Sequence, residues 1–329
     1  MQKVSEVYEK LYHYTNWDGL VGILQSKTLW ATHCKFLNDY SEIVFFKDKL
    51  ISLLLPHARE ACKELINQFP NIEQVINQQM GGLEHVVQHE TQVVVDAHYG
   101  ATGDEIYILS FCGQHENPHI NNNGLLSQWR GYGTGGGFAL VFNTQKIEEM
   151  LDIEAKKYEY SSMHFCDIVY SDDEKKLEDE LSENLSIIAN NVKKFMIALA
   201  TNKKDSILKD MESNYHPFIH CISRYKHCGF KEENEVRVVL LPTVITQELL
   251  TLASRDGVIY KPEKERKFRN KNDQIVPYIE LFNSIDLELP IERIIVGPHK
   301  EKDARAAALR VMLRNTKIEI TCSDIPFVG

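Results

Sequence analysis

The stretch KEENEVRVVLL, residues 231–241, sets two acids, Glu233 and Glu235, one residue apart at the head of an apolar run. In an extended chain the side chains alternate, so Glu233, Glu235 and Arg237 share one face while Val236, Val238 and Leu240 share the other. Acids are poor strand formers and like charges side by side repel. Carboxylates crowded in this way push one pKa upward, which suits a general base, while the other stays anionic and can stabilise a developing cation. The competing reading is a solvated strand edge, with Glu235 paired to Arg237 or Lys231.

Other residues carry chemistry of their own. His13 lies between Tyr12 and Tyr14 with Thr15 beside it. Its imidazole can bond a ligand hydroxyl, or it can be a core histidine satisfied by backbone. Trp129 and Tyr132 flank Arg130 and Gly131. An aromatic plane stacks on planar rings, and a guanidinium meets phosphate with two parallel bonds. The following run Gly135 to Gly137 permits close backbone approach. This is not a dinucleotide fingerprint, which needs a strand before it and a helix after it. The alternative is a flexible loop whose Trp129 anchors the core.

Some candidates favour plainer roles. Asn38, Asp39 and Glu42 read as a helix cap. His216, His220 and His227 fall near one helical face and suggest zinc, but no fourth ligand stands at ordinary spacing. Cys112 with His115 and His119 has the same weakness, so no metal is assigned. The stretch from Arg255 to Lys271 is rich in Lys and Arg. It reads as a solvated hairpin tip, or as a docking surface for nucleic acid or an acidic protein. No nucleophile elbow is present.

These residues need elements to hold them. KLYHYT reads as a first strand, residues 16–28 as a helix capped by Asn16, and LWAT as a second strand. EIYILSFC, FALVF and HFCDIVYS follow as strands, then residues 231–241. DGVIYKP and IVPYIELF resemble a hairpin, and IERIIVGP and IEITCSD close the sheet around the helix KDARAAALRVMLR. Residues 41–100 and 173–225 are helical in pattern. The alternation is too irregular for a doubly wound sheet. The expectation is an α+β fold with a mixed, mostly antiparallel sheet, one domain over 1–329, and helical insertions at about 41–100 and 173–225.

The chain has 329 residues, 43% hydrophobic and 26% charged, enough apolar material for a substantial core. A formal net charge of -10 disfavours nonspecific binding to nucleic acid or anionic membrane. Seven scattered cysteines without a CxxC suggest reduced thiols in the cytoplasm. Neither a signal peptide nor an apolar run long enough to span a membrane is read.

The pieces LYHYT, LW with FLNDYSE, ILSFC, LSQWRGYG with GFALVF, IVYS, KHCGFKEENEVRVV and RIIVGP resemble, in order, the bacterial domain of unknown function 2971, over most of residues 11–298. Two departures stand out. Phe230 replaces the usual Trp before the acidic pair, and the triple-glycine run replaces a short turn. A weaker resemblance is to the ADP-ribosyltransferases, which spread a triad over an early, a middle and a late strand. It implies His13, then Ser110 or a residue of the Ser127–Tyr132 segment, then the Glu233–Asn234–Glu235 strand end.

On that resemblance NAD is the substrate, and its nicotinamide–ribose bond breaks with positive charge growing on the ribose. Glu235 is then the carboxylate on the ribose 2′-hydroxyl, and Glu233 orients or deprotonates the acceptor. His13, Tyr14, Thr15, Ser110, Trp129, Arg130 and Tyr132 are the expected cofactor contacts. The acceptor is a protein, a nucleic acid or water, and the implied role is a bacterial toxin or defence effector. The competing expectations are a metal-dependent enzyme on nucleic acid, using the same acids, and a non-catalytic nucleotide-binding module.

Overall fold

The computed structural model describes residues 2–37, 40–102, 105–133, 135–170, 174–201, 215–257, 259–271 and 273–326. Its strands are β1 (Lys10–Thr15), β2 (Leu29–His33), β3 (Tyr107–Gly113), β4 (Phe138–Asn143), β5 (Tyr160–Asp167), β6 (Val169–Tyr170), β7 (Tyr225–Lys226), β8 (Glu235–Pro242), β9 (Lys267–Lys271), β10 (Gln274–Leu281), β11 (Ile291–Val296) and β12 (Glu319–Cys322). Its helices are α1 (Val4–Val7), α2 (Trp17–Ser26), α3 (Tyr40–Gln68), α4 (Pro70–Gln79), α5 (Leu83–Thr102), α6 (Pro118–Asn123), α7 (Leu126–Tyr132), α8 (Thr144–Lys157), α9 (Glu174–Thr201), α10 (Tyr215–Ser223), α11 (Gln247–Asp256) and α12 (Lys302–Met312). The fold is mixed α and β with a mostly antiparallel sheet.

All strands except the short parallel pair β6–β7 join one sheet, and β3 is its branch point. Along one edge, β3 pairs throughout with β8, which pairs onward with β5. Along the other edge two strands share it. β1 pairs with the end of β3 through Leu11↔Gly113 and Tyr12↔Cys112, and β2 pairs with its start through Thr32↔Ile108 and His33↔Tyr107. Leu109, Ser110 and Phe111 lie between these pairings. The sheet therefore forks at Ser110: β1 leads to β4, β11 and β12, and β2 leads to β10 and β9.

Alternation along the strands sorts the side chains into two faces. On one, Leu109, Phe111, Val236, Val238, Leu240, Leu140 and Phe142 form the largest core, closed by α8, α12 and α2. Asn16 begins α2 by accepting from the Gly19 N–H at 2.9 Å, and Lys27 ends it in the left-handed region at φ 55°. On the other face, Ile108, Val239 and Leu241 pack under α3, α9 and α10, with Phe46, Leu185 and Phe218 among the contacts. A further apolar cluster joins α3, α4, α5 and α9. Between β1 and α7, Tyr12, Tyr14, Leu125 and Trp129 form a smaller core on this same face.

Two expected elements shift. The hairpin partner of β10 is β9, not DGVIYKP. The chain before β9 is instead drawn across α8: the fully buried Lys264 ammonium meets Glu154 and Asn283, and the Glu159 carboxylate accepts from the Lys261 N–H at 3.0 Å. The strand expected over 231–241 starts only at Glu235, because Cys228–Glu233 forms a 3-10 turn and Asn234 takes a left-handed conformation at φ 45°.

Candidate functional site

The fork brings His13 and Ser110 together. Among the described residues no strand bonds Ser110 along the forked edge, and the His13 imidazole takes that place, its Nδ1–H donating to the Ser110 carbonyl at 3.1 Å. A carbonyl only accepts, so this contact assigns the Nδ1–H tautomer and leaves Nε2 as an acceptor. The ring sits edge-on to Phe111 with centroids 5.8 Å apart, on the side of the largest core. Burial lowers the His13 pKa against the partly opposing Ser110 hydrogen bond, which favours the neutral ring.

The Ser110 side chain turns to the other face, the one that carries Glu235 and Arg237 on the paired strand. Ser110 thus stands between the other members of the expected triad: its carbonyl bonds His13, and its side chain shares the face of Glu235. Glu235 stands opposite Cys112, and Arg237 opposite Ser110, across the β3–β8 ladder.

The two acids do meet, though not through strand alternation. Glu233 comes from the 3-10 turn and Glu235 from the strand, and the Lys226 ammonium lies between them, 2.9 Å from Glu233 and 3.0 Å from Glu235. Arg237 adds two bonds to Glu235, from Nε at 2.7 Å and from Nη2 at 2.9 Å, and its Nη1 donates to the Ser223 carbonyl at 3.1 Å. Tyr170 takes the Glu235 backbone N–H at 2.9 Å. Burial alone would raise the Glu235 pKa. The Arg237 and Lys226 charges, with the Arg237 hydrogen bonds, overcome it and hold the group at about 2.

These geometries redistribute the expected roles. Glu235 accepts three hydrogen bonds, one from Lys226 and two from Arg237, and is 5% exposed. It is a fixed anion, unsuited to exchanging a proton near neutrality. Glu233, whose side chain is 19% exposed, is the more accessible carboxylate. The anticipated partner Arg237 is present, and Lys226 stands where Lys231 was expected. Nothing in the local pattern around RYKHCGF marks Lys226, a buried lysine reached only through tertiary packing.

The remaining candidates separate. Thr15 lies against the first turn of α2, where a Cβ on Gly19 would meet its Oγ1 at 2.0 Å. The Tyr14 hydroxyl accepts from the Leu125 N–H at 2.8 Å, and its ring meets Trp129 edge-on at 4.9 Å. Trp129 sits in a helix, not a loop, and is the core anchor: it is 1% exposed, donates through Nε1 to the Asn123 carbonyl, and closes on Gly124, Gly133 and Gly297. That enclosure leaves it no face for a cofactor ring. Arg130 and Tyr132 are exposed on α7. In the glycine run, Gly135 and Gly136 have positive φ and their carbonyls accept from Arg305, so the run serves contact with α12. Asn38 and Asp39 lie outside the described residues.

His216 and His220 do cluster, but with His164 of β5; His227 instead accepts from the Gly229 N–H at 3.1 Å. Arg224 reaches the outer nitrogen of His220 at 3.4 Å, a cationic neighbour unsuited to a bound cation. Among the described residues, no group of three or more His, Cys, Asp or Glu is arranged to hold a metal ion. All seven cysteines are free thiols, and Cys112 is buried beside the acidic pair.

Residues 128–238 match the model of a family described as Protein of unknown function (DUF2971). The match runs from α7 into β8, so it holds Trp129, Lys226, Glu233 and Glu235 and leaves out His13 and Ser110. No curated protein and no solved structure matches the chain. Among the described residues, no helix is long and apolar enough to cross a membrane.

Proposed function

We propose that this protein is an ADP-ribosyltransferase-like enzyme that cleaves the nicotinamide–ribose bond of NAD at the forked sheet. The observation that carries the reading is the placement of Ser110, whose carbonyl bonds an early-strand histidine and whose side chain shares a sheet face with a late-strand carboxylate. Neutral His13, on the opposite face, holds the Ser110 carbonyl and so positions the strand beneath the ribose. The ionised acids supply the negative field that a ribosyl cation needs, a preorganised effect of about 3 kcal/mol by analogy with single oxyanion donors. Glu233 is the carboxylate that meets the substrate, and Glu235 positions it by holding Lys226. Nicotinamide leaves, and a protein, a nucleic acid or water then attacks the ribose carbon and gives up its proton to Glu233. Free thiols fit a reducing cytoplasm, the setting of a toxin or defence effector.

A second reading rests on the internal pairing of Glu235. A buried carboxylate with three internal hydrogen bonds is also what a structural ion network requires, and it favours a module that binds a nucleotide without turnover. The metal-dependent alternative is weaker, because the Lys226 ammonium takes the bridging position between the acids. Purified protein incubated with NAD separates these readings. Nicotinamide release that falls about a hundredfold in Glu233→Gln supports the transferase. Saturable NAD binding without release supports the binding module. Neither binding nor release, with protein, nucleic acid or water as acceptor, removes the proposal.

A further inference from the structure

We infer that the face of β2, β10 and β9 carries a phosphate-binding site centred on the Arg269 guanidinium. The inference is independent of the NAD reading. It begins from the basic stretch that precedes and enters β9. Most of its described cations are internally satisfied: Lys261 donates to the Ala155 carbonyl at 2.7 Å, Lys264 pairs with Glu154, Arg266 with Glu105 and Glu263, and Lys267 with Glu280. A general docking surface for nucleic acid is therefore not what the stretch offers.

Arg269 differs. No carboxylate among the described residues lies within ion-pair distance of it. Its guanidinium carbon stands 5.1 Å from the centroid of Trp30 and 5.8 Å from that of Tyr278, over two rings that are themselves 4.5 Å apart. The aromatic faces hold the cation but accept no ordinary hydrogen bond from it. Nη2 donates to the Thr32 hydroxyl at 3.0 Å, and Nε–H is buried without a partner. Glu280, the acid across the ladder from Trp30, is held by Lys267 at 2.7 Å. Burial lowers the Arg269 pKa, with only the Tyr278 phenol opposing it, as befits a desolvated cation lacking its anion.

The chemistry selects an oxyanion. A guanidinium pre-set over two rings presents a planar fork, and phosphate oxygens match it. The Thr32 hydroxyl, already accepting from Arg269, retains its proton to donate to the same ligand. A phosphate monoester offers enough acceptors for both groups.

Calorimetric titration at fixed ionic strength, with inorganic phosphate and AMP as probes and acetate as the carboxylate arm, tests the site. The expected result is saturable phosphate binding that weakens about tenfold in Arg269→Met, the loss of one charged hydrogen-bond partner. Arg269→Lys restores it only in part, because an ammonium lacks the fork. Thr32→Val, which keeps the stacked guanidinium, weakens it by a smaller factor and serves if Arg269→Met does not fold. Absence of saturable phosphate binding, equal affinity in wild type and Arg269→Met, or acetate binding as tight as phosphate would each overturn the assignment. None of these readouts involves NAD, so failure here is distinct from failure of the transferase reading.

Discussion

At the scale of single residues, Lys226 lets two carboxylates share a small space. Lys226 is 1% exposed and its ammonium is bonded to both, so removing it leaves Glu233 and the buried Glu235 without the cation between them. Lys226→Met should destabilise the fold by about 3–5 kcal/mol in urea unfolding, and adding Glu233→Gln should recover part of that loss. Equal stability of the wild type and Lys226→Met would show the ion network to be solvent-shared. Acid gives the same group a second signature. The Glu235 pKa falls from 4.5 to about 2 on folding, so its stabilisation is complete above 4.5 and is lost as the pH drops toward 2.

At the scale of elements, a relay of neutral groups ties α10 to β5. The Ser162 hydroxyl is 2.8 Å from His164 Nε2, which donates to the His216 carbonyl at 3.0 Å. His164 Nδ1 then accepts from His220 Nδ1–H at 3.3 Å, and Arg224 reaches the far nitrogen of His220. Arg224 is anchored by Asp167 of β5 at 2.7 Å and by Glu180 of α9. Burial, then the neighbouring imidazoles and Arg224, lowers the His164 pKa to about 2. Burial, then Arg224 and His216, lowers that of His220 to about 3. Unfolding must therefore take up protons below the ordinary histidine value of 6.5. Stability from this relay is whole above that pH and falls by about 1.4 kcal/mol per pH unit for each histidine beneath it. Urea unfolding between pH 6 and 4 should show a slope shallower by one such increment in His164→Gln. An unchanged slope would mean that His164 is already protonated in the fold. The relay also bears on the site, because the α10 carbonyl of Ser223 is the one Arg237 holds.

At the scale of the whole molecule, the fork brings together strands distant in sequence. The sequence reveals which strands carry His13, Ser110 and Glu235, because period-two patterning and aromatic or β-branched runs are local signals. It also reveals the helical blocks, whose periodicity is long. The branch at Ser110 stays hidden, since which edge of β3 is shared depends on pairings between residues a hundred positions apart. The same limit explains Trp129, whose glycine-lined enclosure involves Gly297, and Lys226, whose partners come from another turn. Glu233 and Glu235 were expected together for a strand-like reason and are together for a tertiary one.

The central claim is that the fork, through Ser110, seats the ribose of NAD. The most direct measurement is a crystal structure of the protein with a non-hydrolysable NAD analogue at saturating concentration. The account predicts the nicotinamide-side ribose on the Glu235 face of the fork beside Ser110, with Glu233 facing the anomeric carbon. An analogue bound elsewhere, or a fork that stays empty while the protein is otherwise folded, would contradict it.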